Sequence, residues 1–229
     1  MPGAALSLAL AGALLAPLVD GNQFGDGWRV VGLPKQAPPM TRFTPDNVQG
    51  RAAVRVAADK SYGNLLHRLP AVPAPRALRW SWRLLEPAAR SDLHSKAGDD
   101  VAAKVCLSFD LPLAQVPFMD RQRLRMARDL SGEDLPSATL CWVWATTETV
   151  GAKIDNAFSR RVRYIVLRNA ADAPGAWVDE QRDVAADFLR AFGDETTTVP
   201  PLTGVAVGAD ADNTGGRSLA HITALRFEP

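Results

Sequence analysis

Ala77–Leu84 reads ALRWSWRL. Leu78, Trp80, Trp82 and Leu84 alternate with Arg79, Ser81 and Arg83, so an extended chain places the apolar side chains on one face and the polar ones on the other. A helical period would scatter both sets. The stretch is therefore a half-buried antiparallel strand with one wet face. The same alternation recurs in Arg51–Ala57 and in Val101–Phe109, where Val101, Ala103, Val105, Leu107 and Phe109 share one side. Leu140–Ala145, Val162–Leu167, Ala176–Asp179, Leu202–Gly208 and Ala220–Phe227 extend the set, and Asn64–Leu69 is a weaker member. Turn residues separate the runs at Gly98-Asp99-Asp100, Pro174-Gly175 and Asn213-Thr214-Gly215-Gly216. Short strands at regular spacing predict an all-β chain, a β-sandwich of jelly-roll type.

Two segments break the pattern. Asp183 is a natural N-cap, Val184, Phe188 and Phe192 fall on one side, and Gly193 ends the run, so a packed helix is expected over 184–191. The connection 111–137 contains the charged helical stretch Asp120–Leu130 and reads as a partly helical excursion over one end of the sandwich. Its basic face, Arg121, Arg125 and Arg128, reads first as a solvated surface.

Composition bounds the function. The 229 residues hold 26 Lys+Arg and 25 Asp+Glu, a net charge of +1. That balance gives no electrostatic grip on nucleic acid by the whole domain. Apolar residues at 47% and charged residues at 22% are ordinary for a globular chain, and no repeat of solenoid period is present. Ala4–Val19 is uncharged and apolar. It is shorter than the roughly 20 residues of a membrane span and fits the apolar core of a secretory signal. No basic residue precedes it, so a buried helix or a first strand is the competing reading. The expected organisation is a signal over 1–20, one sandwich domain over 21–229, no stable membrane span in the mature chain, and a periplasmic or secreted location.

Signatures of catalysis are absent: there is no GxSxG, HExxH, GxxxxGK[ST] or GxGxxG. Cys106 and Cys141 match no zinc spacing. They pair as a disulfide if their strands are neighbours in an oxidising compartment, and otherwise are two half-buried thiols. Six tryptophans include Trp80/Trp82 and Trp142/Trp144, each an i, i+2 pair on one sheet face. Such strips stack on sugar rings when exposed and build core when buried. Carboxylates gather at Asp99-Asp100, around Asp183 and Asp187, and in Asp210-Ala211-Asp212-Asn213-Thr214-Gly215-Gly216. Alternate oxygen ligands followed by glycine would suit a hard cation such as calcium, whereas an Asx turn explains the same residues without one. A carboxylate pair could also serve as a glycosidase acid and base.

Read as an ordered set, WxW at 80–82, KxGDD at 96–100, CWVWA at 141–145, WxxExRDVxxDFxxxFG at 177–193 and DxDNTGG at 210–216 resemble the bacterial domain-of-unknown-function family 3047. The resemblance runs from about Trp28 to Phe227. It implies an exported, sandwich-like protein, similar in outline to jelly-roll carbohydrate-binding domains, and it implies no reaction. The motif positions it marks include Lys96, Arg182, Asp99, Asp100, Asp183, Asp187, Asp210, Asp212 and Asn213. An aspartate of GDD and one of DADN are expected to converge near Lys96 or Arg182, since charges at strand ends are costly to bury unpaired. The last strand offers only Thr223 as a further oxygen ligand, which weakens the calcium reading. Three function classes follow: a non-catalytic module binding a glycan or cell-envelope ligand, a polysaccharide-acting enzyme, and an assembly protein without a small ligand.

Overall fold

The computed structural model describes residues 15–228. The strands are β1 (Val19–Asp20), β2 (Gln23–Phe24), β3 (Trp28–Val31), β4 (Arg42–Val48), β5 (Arg51–Asp59), β6 (Tyr62–Val72), β7 (Ala77–Glu86), β8 (Ala103–Phe109), β9 (Ala138–Trp144), β10 (Lys153–Asp155), β11 (Val162–Arg168), β12 (Val178–Asp183), β13 (Leu202–Asp210) and β14 (Arg217–Glu228). Two helices join them, α1 (Phe118–Ser131) and α2 (Val184–Phe192). A seven-stranded sheet runs β10-β11-β9-β8-β13-β6-β3, and a five-stranded sheet runs β12-β7-β14-β5-β4. Together they make the expected β-sandwich of jelly-roll type, with antiparallel pairing except between β11 and β9.

Alternation decides which side chains meet inside. From β7 come Leu78, Trp80, Trp82 and Leu84; from β8 come Ala103, Val105, Leu107 and Phe109; all eight lie in one core cluster. Trp142 and Trp144 of β9 enter the same cluster, so tryptophans from both sheets interlock: Trp80 lies 5.4 Å from Trp142 and Trp82 lies 5.5 Å from Trp144, centroid to centroid. The opposite faces of β8, β9 and β11 carry a second, smaller cluster of Cys106, Cys141, Val143, Tyr164 and Val166 outside the sandwich. Leu93 and Val101, from the segment after β7, cover it. One half of the seven-stranded sheet is thus roofed. On β13 and β6 the outward residues Ala206, Leu66, Asn64 and Tyr62 remain half-buried.

The helix α2 starts at Asp183, whose side chain accepts from the Ala186 N–H at 2.8 Å. It buries Val184, Phe188, Ala191 and Phe192 in the main core. The excursion 111–137 carries α1, which is closed by Gly132 at φ 69°. Five strands escaped the sequence reading: the short β1, β2 and β3, and also β4 and β10. In β4, Pro45 masks a strand, and the sheet tolerates it because β4 is an edge. Only three residues long, β10 gives alternation nothing to act on.

Residues at the end of the expected signal pack against the sandwich. Residues 1–14 lie outside the described part of the chain. Leu18 is 4% exposed and belongs to the core, and the Ala16 carbonyl accepts from the Trp28 indole at 3.0 Å. The fold therefore takes in residues that the signal reading set aside. Among the described residues, no helix is long and apolar enough to cross a membrane.

Candidate functional site

The acidic motifs do converge, and the cation that meets them is Lys104, not Lys96 or Arg182. Lys104 points outward from β8, because its neighbours Ala103 and Val105 point into the core. Its ammonium donates to Asp210 Oδ2 at 2.7 Å and lies 4.7 Å from the centroid of the Tyr62 ring. Gly208 lies beneath it: a Cβ there would come within 3.0 Å of Lys104 Cε and 2.6 Å of Asn64 Oδ1. The glycine inside a strand lets the lysine cross its neighbour to reach Asp210.

Asp210 Oδ1 accepts from the Val101 N–H at 2.7 Å. Asp100, fully buried, accepts from the backbone N–H groups of Asn213 (3.1 Å) and Thr214 (2.7 Å). Asn213 Nδ2 in turn donates to the Asp99 carbonyl at 3.2 Å. GDD and DADNTGG are thus two loops that cap one another, each presenting an aspartate to the other's backbone. This is a charge-assisted pin. The carboxylate oxygens of Asp100 and Asp210 are taken by N–H donors and by the Lys104 ammonium. No group of three or more Asp, Glu, His or Cys suited to a metal occurs among the described residues.

Two aspartates are left over from the pin. Asp99 is 4% exposed. Its Oδ2 accepts from Asn156 Nδ2, which also donates to the Tyr164 hydroxyl at 2.7 Å, while Oδ1 is buried without a hydrogen-bond partner. Burial, with the nearby Asp210 carboxylate second, pushes its pKa up to about 6. Burial, joined by Asp210 and Asp100, also raises the half-buried Asp212, whose Oδ1 likewise has no partner. Burial alone would lower Lys104, but the Asp210 charge, with Tyr62 and Asp99, outweighs it and holds the lysine as an ammonium. Burial lifts Tyr164 well above its ordinary range, so its hydroxyl stays protonated. The site is therefore a buried charge pair with a second carboxyl, raised to about 6, at its side. Half-exposed Tyr62, Asn64, Asn156 and Asp212 surround it.

The other candidates lie elsewhere. Asp187 sits at α2, where it accepts from Arg182 Nε (2.7 Å), Arg182 Nη2 (2.8 Å) and the Trp142 indole (2.7 Å). Asp183 is the cap already described. Lys96 is exposed over the Phe158 ring, 5.3 Å from its centroid. Trp80, Trp82, Trp142 and Trp144 are 0–1% exposed, so the stacking reading is corrected: these tryptophans offer no face to a sugar because the two sheets close on them. Trp82 gives its indole N–H to Glu180 at 3.1 Å, and Arg168 holds the same carboxylate at 2.8 Å. The WxxExRDVxxDF motif is thereby a latch, in which Glu180 and Asp187 satisfy polar atoms that the tryptophans carry into the core.

Cys106 and Cys141 face each other across β8 and β9 and form a disulfide. Sequence reading missed the largest ion network. Fully buried Arg163 bonds Asp194 and Glu195 and stacks on Phe192 at 4.3 Å, while Arg161 Nη1 donates to Glu195 at 2.7 Å. An arginine at an alternating strand position gives no sign of which face it takes.

The family model described as "Protein of unknown function (DUF3047)" matches residues 26–226. The chain belongs to the DUF3047 family. Among curated proteins none matches. The solved structures it is similar to include the catalytic domain of Humicola grisea Cel12A, with 11% identity, a TM-score of 0.46, and 93% of this chain and 97% of that one covered. Trichoderma harzianum endoglucanase 3 of family GH12 is another, at 10% identity and TM-score 0.42, covering 90% and 100%. The xyloglucanase domain of NopAA from Sinorhizobium fredii is a third, at 12% identity and TM-score 0.43, covering 91% and 96%.

Proposed function

We propose that this DUF3047 protein is an exported, non-catalytic module that binds a glycan or another polyhydroxylated cell-envelope ligand. The ligand lies on the unroofed half of the seven-stranded sheet. The observation that carries this reading is the half-exposed set Tyr62, Asn64, Asn156 and Asp212 around a fixed charge pair. Tyr62 and Asn64 on β6, with Asn156 and Asp212 on the adjoining loops, offer the hydroxyl, amide and carboxylate groups that hydroxyl-rich ligands require for orientation. Export is supported by the Cys106–Cys141 disulfide, since such bonds persist in oxidising compartments.

The test is a glycan-array screen, with and without calcium, followed by calorimetry on hits. Asn64→Ala and Asp212→Ala should each weaken binding at least tenfold while circular dichroism stays unchanged. A hit indifferent to both substitutions, or no hit at all, overturns the reading.

Asp99 favours a second reading, a polysaccharide-acting enzyme. A carboxyl near 6 beside a second carboxylate is suited to give up a proton at neutral pH. Release of reducing ends from a polysaccharide panel, abolished in Asp99→Asn, would carry this reading over the first.

A further inference from the structure

The outer face of the five-stranded sheet carries two arginines without partners beside a groove. In β5, Val54, Val56 and Ala58 enter the core, so Arg55, Ala57 and Asp59 face out. Phe43 of β4 enters the same core, so Arg42 faces out beside them. A groove of about 360 Å³ opens over these strands, at the small end of the roughly 300–1,000 Å³ of ligand pockets. Ala57 and Leu219, opposite each other in β5 and β14, give it an apolar floor. Arg42 stands opposite Ala57, and Arg55 comes two residues before Ala57, so the two arginines are diagonal neighbours. Such neighbours are about 7–8 Å apart, within reach of each other's long side chains. Arg217, at the groove's end, is paired with Asp59 at 3.2 Å, whereas neither Arg42 nor Arg55 has an ion-pair partner among the described residues. Asp46, also on β4, is bonded instead to His221 Nε2 at 3.0 Å, and Arg55 is the least of the influences on its charge. Across the floor, exposed Glu86 of β7 stands opposite Leu219. Ser218 also lines the groove; it is 2% exposed and its hydroxyl has no hydrogen-bond partner, although buried hydroxyls normally have one.

We propose that this groove binds a single acidic sugar ring, a hexuronate or a sugar phosphate. Its oxyanion sits between Arg42 and Arg55, its ring rests on Ala57 and Leu219, and its hydroxyls donate to Glu86. Guanidinium forks match the paired oxygens of a carboxylate or phosphate. A carboxylate such as Glu86 accepts from hydroxyls but repels an oxyanion, so the ligand lies one way round. The groove shares no residue with Tyr62, Asn64, Asn156 and Asp212, so this inference does not depend on the ligand face proposed above.

The experiment is titration calorimetry of the full chain with glucuronate, glucose 6-phosphate, glucose and inorganic phosphate. At least one acidic sugar should bind, and which one does so identifies the oxyanion. Glucose should bind at least tenfold more weakly, because it offers the arginines no charge. Inorganic phosphate should also bind at least tenfold more weakly, because it reaches neither the floor nor Glu86. Arg42→Gln and Arg55→Gln should each lower the affinity for the acidic sugar at least tenfold. Ala57→Tyr should abolish binding by filling the floor while every charge stays in place, and tyrosine suits an outward strand position. Asn64→Ala, outside the groove, should leave the affinity unchanged. Circular dichroism checks that each variant is folded, and the comparison among the four ligands needs no variant. No binding of either acidic sugar overturns the proposal. So does binding that survives Ala57→Tyr or is lost in Asn64→Ala. Inorganic phosphate binding as tightly as the acidic sugars would mark an adventitious ion only, and overturns it too.

Discussion

At the residue scale the aspartates of the two acidic loops divide by what their oxygens touch. Asp210 holds a buried ammonium and a backbone N–H, so Asp210→Ala strands Lys104 without its counter-charge. The expected loss is about 3–5 kcal/mol in chemical denaturation. Asp212 receives no side-chain hydrogen bond, and its carboxyl is raised by burial and by like charges. Asp212→Ala is therefore expected to change stability by less than about 1 kcal/mol, and a loss as large as that of Asp210→Ala would refute the division. Asp99 makes a pH prediction. Its folded pKa of about 6 lies above the ordinary 3.8, so the folded state binds the proton more tightly than the unfolded chain does. Its contribution is fully present below about pH 4 and is lost as pH rises through 6. Subtracting the stability profile of Asp99→Asn from that of the parent should give a curve falling between those values. A flat or rising difference would contradict the assignment.

At the scale of elements, α2 is held by two aspartates with unequal duties. Asp183 caps an exposed first turn, and Asp183→Ala should cost about 1 kcal/mol. Asp187 accepts from both Arg182 and the buried Trp142 indole, and its removal orphans a donor inside the core. Asp187→Ala should cost about 3 kcal/mol, and Asp187→Asn should recover part of that by accepting from the indole. Equal costs at 183 and 187 would mean that the latch contributes nothing. Both helices were readable from periodicity and punctuation, since Asp183 and Gly193 bound α2 as written. The duty of Asp187 was not readable, because its partner comes from another strand 45 residues away.

At the scale of the whole molecule, the roofed half of the seven-stranded sheet carries the Cys106–Cys141 disulfide packed with Leu93 and Val101. Reduction should lower stability by about 2–4 kcal/mol in urea denaturation, with the linkage followed by mass under non-reducing conditions. An unchanged midpoint after complete reduction would show that packing alone holds the roof.

Alternation along ALRWSWRL and its counterparts determined nine of the fourteen strands, most of their apolar faces and hence the sandwich, because period two is a local property of an extended chain. The convergence of GDD with DADN was also legible, since charges at strand ends must find partners. The choice of Lys104 as that partner was not, nor were the burial of all four paired tryptophans and the Arg163 network. Each of these turns on which sheet neighbours which, and on which face a closing layer covers. Such relations join residues far apart in the chain, so they exist only once the two sheets have packed.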